Sequence, residues 1–490
     1  MKMLKLFSIL VLIIALNTSC NKKAQQQSKP NVLLLYMDDL RPELGCYGAN
    51  QIQSPNIDLL AKNSVVFNNA YCNVAVCGAS RASMMTGMRP AKNYFKNPFT
   101  FIQEEQPNTT TLPLLFKQNG YTTISNGKIY HHVDDRTNDW DEIYRPYAFA
   151  KNYTEKDIDT SLVPTKYWQA LWKDYKLPKN IKAYAETDNG PAYEKAPVND
   201  SVYIDGVMTN KVIRDLKRLK NSNKPFFLTA GFISNHLPFN APLEQWEKYN
   251  PENIHQPENN YIPKNAPKTS ISKWGEMRAY TDIPKKGPVT SKKAKELIHG
   301  YYATVSYVDA LIGKILEELK NTGLDKNTIV ILVADHGYNL EEHTQWAKFT
   351  SYDTSTRVPL MIHVPNQKAG TTNALIELVD VYPTLADLCN LQTPNNQLEG
   401  KSLVPILQDK SLKGKDFIMM KNHNGYTIKT PDYAYTEFIN LETGKEITRM
   451  LYDHQIDKEE NVNVSEEPEY KAVVDKLHQI LRTEFSDNIQ

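Results

Sequence analysis

NVLLLYMDD, residues 31–39, decides how the rest of the chain is read. The run from Asn31 to Met37 is too short for a core helix and lacks the alternation of a half-exposed strand. It fits a strand buried on both faces, the usual state of a central strand in a parallel sheet. The run stops at Asp38-Asp39, two carboxylates that cannot stay in a core uncompensated. Open α/β sheets bind ligands beyond the C-terminal tips of their central strands. Aspartate also opens turns, so this pair alone leaves a turn and a metal site equally open.

Working outward, the same pattern recurs. Residues 225–232 (PFFLTAGF) and 328–334 (TIVILVA) read as further buried strands, and residues 65–70, 121–125 and 358–364 as shorter ones. Helices are predicted between them. One covers residues 54–61, with Ser54 as N-cap and Pro55 in the first turn. Others cover 81–85, 111–119, 202–220 and 296–320, the last with an apolar stripe and a stop at Gly323. This alternation specifies an α/β fold, a doubly wound sheet flanked by helices. From residue 413 short alternating runs and a final amphipathic helix predict a smaller α+β subdomain with an antiparallel sheet. The resulting division is 1–19 signal, 20–30 tether, 31–412 catalytic domain and 413–490 C-terminal subdomain. Residues 134–200, with Trp140, Trp168 and Trp172, read as a long irregular insertion, and 250–290 as a surface excursion rich in Pro, Asn and Lys.

Four predicted strand ends carry chemistry. They are Asp38-Asp39, then Lys128 with His131 and His132, then His236, then Asp335-His336 followed by Lys348. Each alone has a bland reading as a solvated loop; four together do not. A fifth motif, CGASRASMMTG at residues 77–87, places Arg81 one helical turn beyond Cys77. Alone, Cys77 reads as a core cysteine at a loop-to-helix junction.

Lys2 and Lys5 precede an apolar run over residues 6–16 that ends at Cys20. This resembles a bacterial lipoprotein signal, with Cys20 as the lipid-bearing residue. It predicts an exported protein anchored to a bacterial membrane, facing the periplasm or the cell surface. With 57 Lys plus Arg against 56 Asp plus Glu, the formal net charge is +1, which argues against nucleic acid as a partner. Five cysteines are too few for a disulfide scaffold; a Cys46–Cys72 pair is left open.

With these residues assembled, the chain resembles the formylglycine-dependent sulfatases of the alkaline-phosphatase superfamily, and within them the iduronate 2-sulfatase-like group. The resemblance is carried by residues 31–48, 54–60, 77–90, 127–131, 231–239, 334–348 (ADHGYNLEEHTQWAK), 378–385 and 451–463. It implies an alkaline-phosphatase-like fold and hydrolysis of sulfate esters on a carbohydrate such as ulvan, carrageenan or a glycosaminoglycan. It implies that a maturase, of the formylglycine-generating or radical type, oxidises Cys77 to formylglycine (3-oxoalanine). Asp38, Asp39, Asp335 and His336 would hold one Ca2+ together with residue 77. Arg81 would hold residue 77 in its reactive form. Lys128, His236 and Lys348 would grip the sulfate, with His236 protonating the leaving oxygen and His131 acting as base. Two departures stand out. Ala79 replaces the usual Pro, and Ser234-Asn235 replaces a Lys-Pro pair. Two other readings are a phosphatase or phosphonate hydrolase of the same superfamily, and a glycan-binding lipoprotein with a dead site.

Overall fold

The fold is described from a computed structural model that covers residues 29–132, 134–146, 174–273 and 275–486. The predicted signal, most of the tether, and Trp168 and Trp172 lie outside the described residues.

The main sheet is built from β1 (Asn31–Met37), β2 (Val65–Tyr71), β3 (Thr122–Gly127), β4 (Glu142–Tyr144), β5 (Phe226–Gly231), β6 (Thr328–Ala334), β7 (Leu360–His363) and β8 (Gly370–Glu377). Among the described residues its order is β8-β2-β7-β6-β1-β5-β3-β4. Only β7 runs against its neighbours. β1 is flanked in parallel by β5 and β6, with Leu34 opposite Thr229 on one side and Ile331 on the other. That is why residues 31–37 carry no alternation: both faces are covered, and Val32 through Met37 have no exposed surface. The tips of β6, β1, β5 and β3 are adjacent in the sheet and point the same way. The four polar strand ends of the sequence therefore meet along one edge.

Helices cover the sheet: α1 (Pro55–Lys62), α2 (Cys77–Thr86), α3 (Leu112–Gln118), α4 (Ile204–Leu219) and α5 (Ser291–Asn321). Thr111 caps α3 by accepting from Leu114 N, and Thr290 caps α5 by accepting from Lys293 N. Ser54 stands at the N-cap of α1 as expected, but its hydroxyl does not cap. It accepts from Gly45 N and donates to Asp58 instead.

A second, four-stranded antiparallel sheet follows: β9 (Ile418–Asn422), β10 (Gly425–Lys429), β11 (Tyr433–Ile439) and β12 (Glu446–Asp453). Helix α6 (Lys471–Glu484) closes it over a core of its own that includes Tyr426, Tyr435, Leu451, Leu477 and Leu481.

Two expectations need correction. The described parts of 134–200 are more regular than their composition: β4 extends the main sheet, and Pro178–Thr187 is a helix. The region 250–290 is no mere surface excursion, since Met277 and Tyr280 are buried at 4% and 1% exposure. Cys46, Cys72, Cys77 and Cys389 are all free thiols, so Cys46 and Cys72 are not paired. No helix among the described residues is long and apolar enough to cross a membrane.

Candidate active site

Helix α2 begins at Cys77 itself, with Val76 extended before it. The thiol is buried at the edge where the strand tips converge, and lies 3.2 Å from His336 Nε2. Gly78 has a steric reason: a Cβ there would sit 2.1 Å from the Pro98 carbonyl oxygen. Gly127 and Gly231 likewise let the tips of β3 and β5 close up, because a Cβ on either would meet a carbonyl oxygen at 2.1 or 2.2 Å. Small residues at these positions bring Cys77 and Lys128 into one cluster.

The acidic half of the site comes from β1 and β6. Asp38, Asp39 and Asp335 are wholly buried. Asp39 takes a left-handed conformation (φ 56°), and its backbone N–H donates to Asp335 Oδ1 at 3.2 Å. Ligand atoms of Asp38, Asp39, Cys77 and His236 lie within 4.8 Å of one another, as do those of Cys77, Asp335 and His336. Buried carboxylate oxygens gathered around one point are the donor set a hard dication such as Ca2+ requires. The residues present therefore fit the implied metal.

The cationic half answers it charge for charge. Lys128 Nζ is 2.6 Å from Asp38 Oδ2, and Lys348 Nζ is 2.9 Å from Asp39 Oδ2. Burial pushes the Asp38 carboxyl up, but Lys128 and Arg81 outweigh it and hold the group well below the usual carboxylate range. For Asp39 burial wins over Lys348 and His236, and the carboxyl is raised. Burial likewise pushes the Cys77 thiol well above its ordinary range, against Lys128 and Lys348. An unmodified Cys77 is thus a thiol rather than a thiolate and a poor nucleophile.

Arg81 is brought to the site, wholly buried beside the carboxylates. Its Nε–H donates to Asp335 Oδ2 at 2.8 Å and Nη2 donates to Asp38 Oδ1 at 3.1 Å. The remaining N–H groups go to the carbonyls of Met37, Lys128 and Ile129, and the guanidinium lies over the Tyr36 ring. Arg81 thus braces the carboxylates and the strand tips.

His236 follows β5 on a loop pinned by Asp205, whose carboxylate accepts from Ile233 N, Ser234 N and the Ser234 hydroxyl. Asn235 Nδ2 donates to Thr304. The Ser234-Asn235 pair is thus spent on holding the loop. His131 is half-buried next to Lys128; burial and Lys128 push its proton affinity well down, while Asp38 opposes them. His336 Nδ1 donates to the Gly337 carbonyl at 2.8 Å, which turns Nε2 toward Cys77 and Asp39.

One site residue escaped the sequence reading. Glu276, on a short 3-10 turn (Glu276–Ala279), places Oε1 2.8 Å from His236 Nε2 and Oε2 3.3 Å from Lys348 Nζ. Nothing in its neighbourhood signalled this, because it follows no strand and its flanking residues are those of a loop.

The family described as "Sulfatase" matches residues 30–391, and that described as "N-sulphoglucosamine sulphohydrolase, C-terminal" matches residues 341–487. Iduronate 2-sulfatase of Mus musculus is 34% identical over 402 residues, covering 74% of this chain and 69% of that protein. A solved structure titled as in complex with its substrate D-glucosamine-2-N,6-O-disulfate superposes with a TM-score of 0.72 at 22% identity, covering 94% of this chain and 99% of the other. A phosphonate monoester hydrolase from Silicibacter pomeroyi does so at 0.73 and 20% identity, covering 95% and 96%. At such identities the two structures speak for the alkaline-phosphatase-like fold alone. The family match over three quarters of the chain, with the iduronate 2-sulfatase likeness, shows that this chain belongs to the sulfatases, the enzymes that hydrolyse sulfate esters.

Proposed function

We propose that this enzyme removes sulfate from a sulfated, glycosaminoglycan-like saccharide through a formylglycine made from Cys77. The observation that carries the reading is the setting of Cys77, held at a helix start between buried carboxylates and the cations Lys128 and Lys348. Asp38, Asp39, Asp335 and His336 would hold Ca2+. Bound there, the cation would lower the pKa of an oxygen nucleophile and offset negative charge, and formylglycine at position 77 would supply that oxygen.

The chain's own residues divide the remaining work. Lys128 and Lys348 face the anionic group and stabilise the charge that builds on its oxygens. His236 carries a proton to the leaving sugar oxygen. Burial and Lys348 lower its proton affinity, but Asp39 and Glu276 raise it by more, which favours the donating form. His131, kept neutral by burial and Lys128, takes up a proton. Arg81 keeps the carboxylates in register.

The names of relatives support a saccharide substrate: one is an iduronate 2-sulfatase, and another an N-acetylglucosamine-6-O-sulfatase of Bacteroides thetaiotaomicron. A maturase acting on the motif around Cys77 is a required partner. Residues 1–30 support export and a lipid anchor at Cys20, facing the periplasm or the cell surface. The test is parallel turnover of an aryl sulfate, an aryl phosphate and an aryl phosphonate by enzyme matured with its cognate maturase. Sulfate release is expected to dominate; faster phosphate or phosphonate turnover overturns the reading in favour of a phosphohydrolase.

A further inference from the structure

We infer that Glu276 is a positioning residue, which fixes His236 and Lys348 as a pair for the sulfate group. The inference rests on the sulfatase reading of the site.

The three residues come from three separate segments. His236 lies on the loop after β5, and its Nδ1 donates to its neighbour's carbonyl, Leu237 O, at 2.6 Å. That bond turns Nε2 away from the backbone and toward Glu276 Oε1. Lys348 lies in a segment with an unusual density of left-handed residues, namely Glu341, His343, Thr344, Ala347 and Phe349. Such a backbone holds its shape only where its surroundings dictate it. Glu276 is anchored by the burial of Met277 in the same turn and of Tyr280 just after it.

The Glu276 carboxylate bridges the other two segments. Together with Asp39 it closes an alternating ring: Asp39 to Lys348 at 2.9 Å, Lys348 to Glu276 at 3.3 Å, Glu276 to His236 at 2.8 Å, and His236 back to Asp39 at 4.0 Å. Asp39 is also needed as a metal ligand. Glu276 is the carboxylate of the ring with no such second duty, so it can keep the two groups aligned while Asp39 serves the metal. Being an anion on the cations that sulfate would share, Glu276 also tempers their affinity for sulfate.

Those two effects give a signature that a merely structural residue would not produce. The holoenzyme is compared as wild type, E276Q and E276A, reading kcat and KM on an aryl sulfate, inhibition by inorganic sulfate, and thermal unfolding. E276A is expected to lose at least about tenfold in kcat, while sulfate inhibits as tightly as in wild type or more so. E276Q, whose amide oxygen still accepts from His236, is expected to lose less, and it is isosteric should E276A fail to fold. Two results overturn the inference: kcat within about twofold of wild type in both variants, or sulfate inhibition that weakens in step with kcat. A wild-type enzyme that turns over no sulfate ester overturns the reading beneath it, and the inference with it.

Discussion

Arg81 Nε–H donates to Asp335 Oδ2 at 2.8 Å, and neither side chain is exposed to solvent. A buried ion pair adds little net stability, but removing one partner leaves an uncompensated charge. R81A is therefore expected to destabilise the fold by about 3–5 kcal/mol, measured by denaturant unfolding. R81K keeps the charge but cannot reach both Asp335 and Asp38 with a planar fork. It is expected to fold and to bind Ca2+ more weakly by calorimetry. Wild-type Ca2+ affinity in R81K would show that Arg81 does not brace the carboxylates.

Lys128 and Lys348 each face a carboxylate that the proposed cation site would also use. K128A and K348A are each expected to reduce kcat/KM by about 10²-fold or more, as loss of a group aimed at developing charge does. Steady-state kinetics on an aryl sulfate measures it. A change below about threefold in either variant would remove that lysine from the sulfate site.

Buried Asp38 and Asp39 in one cluster of ligand atoms, and Asp335 in a second that shares Cys77 with it, should make the fold sensitive to the metal. Adding Ca2+ to chelator-treated protein is expected to raise the Tm, by about 2.7 kcal/mol of stability at a hundredfold excess over Kd. Differential scanning calorimetry reads the shift, and D335N should abolish it. A Tm indifferent to chelator and Ca2+ would argue that Arg81, Lys128 and Lys348 alone neutralise the site.

Glu377 gives a pH prediction remote from the chemistry. It is wholly buried and pairs with Arg89 at 2.6 Å and Lys415 at 2.5 Å. Burial pushes its carboxyl up, but Lys415 and Arg89 outweigh burial and hold it at about 2, against an ordinary 4.5. A folded value below the unfolded one adds stability above pH 4.5 that is lost as pH falls toward 2. The contribution is about 3 kcal/mol at most. E377Q is expected to be less stable at pH 7 and to show a shallower loss between pH 4.5 and 2. An acid-unfolding curve parallel to wild type would contradict the assignment.

Much of the fold was legible because β1, β5 and β6 are buried on both faces and so leave continuous apolar runs. Their polar tips were legible for the same reason, since charge directly after such a run marks the point where the strand leaves the core. Glu276 was not, because its role depends on a loop folding back over strand tips far away in sequence. The position of Arg81, one turn along the helix from Cys77, was legible in the spacing. Its partners were not, because spacing along one helix says nothing of the carboxylates on β1 and β6. The short strand β4 and the helix at residues 178–187 were hidden in a polar, aromatic composition that tertiary packing overrode.

In the proposed reaction residue 77 performs the chemistry. Its most direct test is sulfate release from defined sulfated oligosaccharides, comparing wild type with C77A, both co-expressed with a maturase. Release by wild type and none by C77A is the predicted result. Undiminished release by C77A would contradict it.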